Sequence, residues 1–147
     1  MTFPEFSENG DLPVGIYQAT LQEVVEHFGN GSLQRQLVAG RLKKIYFFAK
    51  ATNQVLRFIV YGSFVTAKEN PNDIDIFMLV KDDFNPDEVS GKSRLIFKHL
   101  TTQEYEGASV FWGTKSGIIG NADEFVKGWQ VKRDQTRRGI IEVKIDD

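Results

Sequence analysis

Two aspartates two positions apart, Asp73 and Asp75, open an apolar run, and a Gly62-Ser63 pair closes the apolar run before it. Alternate residues of a strand share a face, so Asp73 and Asp75 project together while Ile74 and Ile76 project the other way. Carboxylates held that close repel each other unless a cation lies between them. Hard oxygen ligands at a strand end suit Mg²⁺ (or Mn²⁺), which keeps several waters and takes its remaining ligands from substrate phosphates. Gly62 lets backbone approach a phosphate with no Cβ in the way. The Ser63 and Phe64 amides, opening a short helical turn, can face phosphate oxygens. The expected site therefore has Asp73 and Asp75 as metal ligands and Gly62, Ser63 and Phe64 as nucleotide contacts. Asp73, Asp75 and Ser63 are its catalytic candidates. Lys68, in the connecting loop, is a nucleotide-binding candidate whose plainer role is that of a solvated cation. The plainer roles of the others are acids solvating a strand end and a serine capping a turn.

These residues need a scaffold that holds two strand ends together. Val55 to Tyr61 and Ile74 to Val80 are apolar in both alternating sets, as expected of strands covered on both faces. Ala108 to Trp112 reads as a third strand. Leu33 to about Ala51 carries Leu37, Val38, Leu42, Ile45, Phe48 and Ala49 at helical spacing, an amphipathic helix to cover the sheet. Ser32 can cap it. A shorter helix precedes it, opened by the capping box Thr20-Leu21-Gln22-Glu23 and ended at Gly29. Residues 1–19 read as an irregular arm docked through Phe3, Phe6, Leu12, Val14 and Ile16. Pro86 opens a segment containing Val89, Leu95 and Ile96 that reads as helix. Gly113, Gly117 and Gly120 suggest a flexible loop, and Asn121-Ala122-Asp123-Glu124 a further helix start. Gly139 to Ile145 reads as an edge strand with Glu142 and Lys144 facing solvent. The expected fold is α/β (α+β): a small mixed sheet flanked by helices, in one domain spanning 1–147.

Composition narrows the function classes. The chain has 147 residues, no cysteine and a formal net charge of −2, so neither a disulfide framework nor a thiolate zinc site is available. That charge argues against broad nucleic-acid binding. No apolar run is long enough to span a bilayer, and the N-terminus lacks a secretory pattern, which together place the protein in the cytoplasm. His27 and His99 have no second histidine or cysteine at ligand spacing. Gly113-Thr114-Lys115-Ser116-Gly117 lacks the order of a phosphate loop, which leaves Lys115 a minor substrate-contact candidate. Lys127, Lys132, Arg133, Arg137 and Arg138 form a basic cluster. It reads first as a solvated helix end, and otherwise as a contact for nucleotide phosphate, RNA or an acidic partner. Trp112, Trp129 and the phenylalanines read as core.

A strand ending in Gly62-Ser63, a short turn, and Asp73-Ile74-Asp75 on the next strand resembles the nucleotidyltransferase superfamily typified by DNA polymerase β. Closer still, the chain resembles a bacterial family of small nucleotidyltransferase-like proteins designated a domain of unknown function. The residues carrying that resemblance are Phe6 to Ile16, Arg41-Leu42, Gly62 to Thr66 with Lys68, Pro71 to Asp75, and Arg138-Gly139-Ile140. The resemblance implies Mg²⁺-dependent transfer of a nucleoside monophosphate from a nucleoside triphosphate to a hydroxyl on a protein, RNA or small alcohol. A protein partner could supply or be the acceptor. One position departs from the superfamily pattern. Its third carboxylate, on a later strand, aligns with Ser109, a weak metal ligand and a poor base; Glu104 or Glu106 would replace it if the alignment slips. The alternative is a catalytically weakened fold acting as a binding protein in a toxin–antitoxin or defence pair.

Overall fold

The computed structural model describes residues 2–98, 107–118 and 120–145. Five strands form one mixed sheet: β1 (Ile16–Ala19), β2 (Val55–Tyr61), β3 (Ile74–Val80), β4 (Ala108–Thr114) and β5 (Ile140–Val143), in the order β1-β5-β2-β3-β4. The β1/β5 and β3/β4 pairs are parallel, whereas β2 is antiparallel to both of its neighbours. The α-helices are α1 (Leu21–Phe28), α2 (Leu33–Ala51) and, late in the chain, the short α3 (Ala122–Lys127). This is the α/β architecture that the strand and helix patterns predict. Among the described residues no helix is long and apolar enough to cross a membrane.

The helix starts follow from their caps. Thr20 Oγ1 accepts from the Glu23 amide (3.1 Å) while the Glu23 carboxylate accepts from the Thr20 amide (2.9 Å), a reciprocal capping box. Ser32 and Asn121 cap α2 and α3 in the same way, accepting from the Arg35 and Glu124 amides. Helix α2 then lays Val38, Leu42, Ile45 and Ala49 on the sheet face formed by Phe58, Val60, Ile76, Met78, Ile141 and Val143, all buried. Leu37, included in that apolar set by spacing, instead faces solvent. The opposite face, with Ile59, Phe77, Leu79 and Ile140, is covered by Val126, Phe125 and Trp129. Burial on both faces explains why β2 and β3 are apolar at almost every position.

Three expectations need correction. Strand β5 is interior rather than an edge, because Ile16–Ala19 of the N-terminal arm pairs with it as an additional strand. Glu142 accordingly is not a solvent-facing edge residue; it accepts from Arg57 Nε (3.0 Å) and Nη2 (2.6 Å) across the sheet. The segment after Pro86 forms 3-10 turns at Pro86–Glu88 and Gly91–Phe97, not an α-helix. Gly91, which opens the second, has φ +65°, a left-handed conformation that breaks helical continuity. Finally, Gly113 belongs to β4, which runs on to Thr114.

Candidate functional site

Strand β2 delivers Tyr61 to Gly62, whose backbone (φ 85°, ψ −166°) turns the chain into a 3-10 turn, Ser63–Val65. The leading amides of such a turn, Ser63 and Phe64, have no acceptor within it. Its carbonyls are engaged from behind. Arg35, a buried residue of α2, donates through Nη1 to the carbonyls of Phe28 (2.9 Å) and Phe64 (2.8 Å), and through Nη2 to Thr66 (2.6 Å). Its Nε reaches the Lys68 carbonyl at 3.1 Å. The loop is also tied to the N-terminal arm, where the Gly10 carbonyl accepts from the Ala67 amide (2.8 Å). With its carbonyls drawn back toward α2, the turn holds one shape at the end of β2.

The sheet register brings the acidic residue to that turn. Asp75 stands opposite Tyr61 on one side and opposite Ser109 on the other, so the three occupy one row across β2, β3 and β4. Ser109 is thus beside Asp75, on the neighbouring strand. The Asp75 carboxylate lies against the backbone of Gly62: a Cβ built there would stand 2.0 Å from Asp75 Oδ2. Glycine is required at this position on two counts, the positive φ and the contact. Asp73 directly precedes β3. Arg41 of α2 flanks it, donating from Nη1 to the Asn72 carbonyl (3.2 Å) and lying against Gly107, whose carbonyl accepts from the Ile74 amide (3.3 Å).

Burial drives the Asp75 carboxyl up to about 6, with the Asp73 charge adding to the effect and Arg138 and Arg133 opposing it. Burial likewise raises the Tyr61 hydroxyl, and the Asp75 charge raises it further. An acid held in this way is short of positive charge. The donor set fits a hard cation: two carboxylates, a neighbouring serine hydroxyl, and a destabilised anion that a metal would relieve. Among the described residues there is no group of three or more histidine, aspartate or glutamate side chains that could hold a metal. Of the two carboxylates, Asp75 lines the cleft described below and Asp73 is not part of its lining.

A cleft of about 550 Å³ opens over Asp75, lined by Tyr61, Gly62, Ser63 and Ser109 together with Lys132, Arg133 and Arg138. Lys127 ends α3, but the rest of the basic cluster is not a helix end. After α3 and the 3-10 turn Gly128–Gln130, Val131 bridges Arg137 in a hairpin whose turn includes Gln135 at φ 72°. The hairpin is held by Lys132 Nζ on the buried Asp11 (2.9 Å), and it directs Arg133 and Arg138 into the cleft. Arg138 Nε is buried and has no hydrogen-bond partner. Lys127 pairs instead with Glu124 on the surface.

Asp75, Gly62 and Ser63 thus share one cleft, with Asp73 close enough to raise the Asp75 carboxyl. Phe64 is buried beneath the turn and can contribute only its amide. The Lys68 side chain is exposed and is not part of the cleft lining. Lys115 lies at the other end of the sheet, its amide donating to Val80 (3.1 Å). Glu104, Glu106 and His99 lie outside the described residues. Sequence reasoning did not assign Tyr61, Phe111, Trp129 or Val131 to the site, although all line the cleft. Arg133 and Arg138, read from sequence first as a solvated helix end and otherwise as a contact for nucleotide phosphate, RNA or an acidic partner, line the cleft.

No match to this chain is found among curated proteins or among solved structures. Residues 4–144 match the model of a family of unknown function, DUF6932, and the chain belongs to that family.

Proposed function

We propose that this protein is a Mg²⁺-dependent nucleotidyltransferase of polymerase β-like type, moving a nucleoside monophosphate from a nucleoside triphosphate to a hydroxyl acceptor. The observation that carries this reading is the seating of the Asp75 carboxylate on the Gly62 backbone, with Arg133 and Arg138 lining the same cleft. Carboxylates and guanidiniums facing one space are what a metal-bound polyphosphate requires. Asp73 and Asp75 would hold the cation, and Arg133 and Arg138 would take phosphate oxygens, bidentately where geometry allows. Gly62 and the amides of Ser63 and Phe64 would approach the triphosphate with no side chain intervening. The acceptor oxygen forms a bond to the α-phosphorus as the bond to the β-phosphate breaks. Pyrophosphate leaves with the electron pair, and the hydroxyl proton passes to solvent. When bound, Mg²⁺ would neutralise charge developing on the phosphate oxygens.

The test is incubation with each α-labelled nucleoside triphosphate, Mg²⁺ or Mn²⁺, and cell lysate as the acceptor pool. Label should reach a product in a metal-dependent way, and Asp73→Asn or Asp75→Asn should abolish it. Absence of both labelled product and metal-dependent nucleotide binding would refute the reading.

Ser109 favours a second reading, a nucleotide-binding protein that has lost transfer and acts on a partner in a toxin–antitoxin or defence pair. It stands beside Asp75, where a base would be useful, and a serine hydroxyl is a poor base. Binding without transfer, converted to transfer by Ser109→Asp, would decide for this reading. The C-terminal cations give less support to an RNA surface, since Lys132 and Lys127 are already paired with acids.

A further inference from the structure

The hairpin after the Gly128–Gln130 turn borders two cavities. Lys132, Arg133 and Arg138 line the cleft over Asp75, and the same residues, together with Asp134, line a second cavity of about 340 Å³. The charges there are unevenly committed. Lys132 Nζ is paired with Asp11 (2.9 Å), and the Asp134 carboxylate serves its own loop, accepting from the Thr136 amide (3.0 Å) and hydroxyl (2.5 Å). Among the described residues no carboxylate lies within ion-pairing distance of Arg133 or Arg138, and Arg138 Nε is buried without a hydrogen-bond partner. A guanidinium presents donors around its whole planar edge. An anion in one cavity therefore leaves donors for an anion in the other.

We propose that the second cavity is a phosphate subsite for the acceptor, which makes the acceptor a small alcohol carrying a phosphate monoester. The inference rests on the nucleotidyl-transfer reading of the cleft and adds the chemistry of the molecule that receives the nucleotide. An anionic acceptor brought up to a triphosphate, beside Asp73 and Asp75, meets like charge, and cations that border both cavities offset that repulsion where the two ligands come together. A phosphate can take parallel hydrogen bonds from a guanidinium, a fit that a neutral alcohol lacks. At about 340 Å³ the cavity is at the small end for a ligand site, which suits a sugar-sized molecule rather than a nucleic-acid chain.

Calorimetry on the full chain saturated with Mg²⁺ and α,β-methylene ATP, whose α–β bridge cannot be cleaved, tests the subsite by titrating in ribose 5-phosphate, ribose and a dinucleoside monophosphate. Ribose 5-phosphate should bind the nucleotide-loaded wild type, and ribose should not. Asp134→Asn keeps a side-chain oxygen to accept from Thr136 and removes the charge, so it should tighten ribose 5-phosphate about threefold and change affinity for the analogue less. The subsite is refuted if ribose 5-phosphate fails to bind or binds only by displacing the analogue, if ribose binds as well as its phosphate, or if Asp134→Asn leaves ribose 5-phosphate affinity unchanged. Equally tight binding of the dinucleoside monophosphate would mean a nucleic-acid backbone and overturn the small-acceptor assignment. Each of these outcomes leaves the reading of the cleft standing. If the analogue itself does not bind the wild type with Mg²⁺, the cleft reading fails and the subsite with it.

Discussion

Replacing Asp75 with asparagine should make the protein more stable while removing a carboxylate of the proposed metal site. In the folded chain the Asp75 carboxyl is raised from 3.8 to about 6 by burial and by Asp73. A raised acid favours the native state when protonated, and that contribution is lost as pH climbs from the ordinary carboxylate range through the folded value. Above about pH 6 the native state carries the whole cost of the ionised group, about 3 kcal/mol from the shift, or about 2 kcal/mol once the residue's partial exposure is allowed for. Asparagine keeps the shape without the charge. In metal-free buffer near pH 8, Asp75→Asn should melt roughly 4–8 °C above the wild type, taking about 2–4 °C per kcal/mol for a chain of this size. Near pH 5 the advantage should fall to about half, because the wild-type carboxylate is then largely protonated in the native state. Thermal unfolding followed by circular dichroism at the two pH values measures both quantities. The reasoning is wrong if the variant is no more stable near pH 8, or if its advantage does not change with pH.

Gly62→Ala places a Cβ 2.0 Å from Asp75 Oδ2 and forces alanine to φ 85°; metal-dependent nucleotide binding should be lost and stability should fall by about 1–3 kcal/mol, read by calorimetry and by urea denaturation. Arg35→Met leaves the carbonyls of Phe28, Phe64 and Thr66 without their donor, so denaturation should show a loss of about 3 kcal/mol or more. Hydrogen exchange should rise first in the Gly62–Lys68 loop. Asp11→Ala frees Lys132 from its 2.9 Å partner, and the account expects weaker nucleotide binding through a loosened hairpin, with a stability loss of about 1–3 kcal/mol.

The parts of this fold legible in the sequence are those set by local chemistry. Thr20, Ser32 and Asn121 announce their helices because a side-chain oxygen must satisfy first-turn amides nearby in sequence. The doubly apolar runs of β2 and β3 likewise state that both faces are covered. Pairing partners are a different matter. Nothing local distinguishes β5 as interior, since that depends on Ile16–Ala19 arriving from far along the chain. The site divides in the same way. Gly62 and Asp75 declare themselves by residue type, but the cations that face them do not. Arg133 and Arg138 resemble any surface basic cluster until the Val131–Arg137 bridge turns them inward and Asp11 fixes Lys132. Arg35 is hidden for another reason: a charged residue within a helix reads as solvated, and only the folded loop supplies the carbonyls that bury it.

The central claim is that Asp73, Asp75 and the Gly62 turn together hold a metal-bound triphosphate. Titration calorimetry of a nucleoside triphosphate into the wild type, Asp73→Asn and Asp75→Asn, with and without Mg²⁺, tests it most directly. The account predicts saturable binding by the wild type that requires Mg²⁺ and disappears in both variants. Failure of the wild type to bind, or binding that persists undiminished without the metal or without either aspartate, would contradict it.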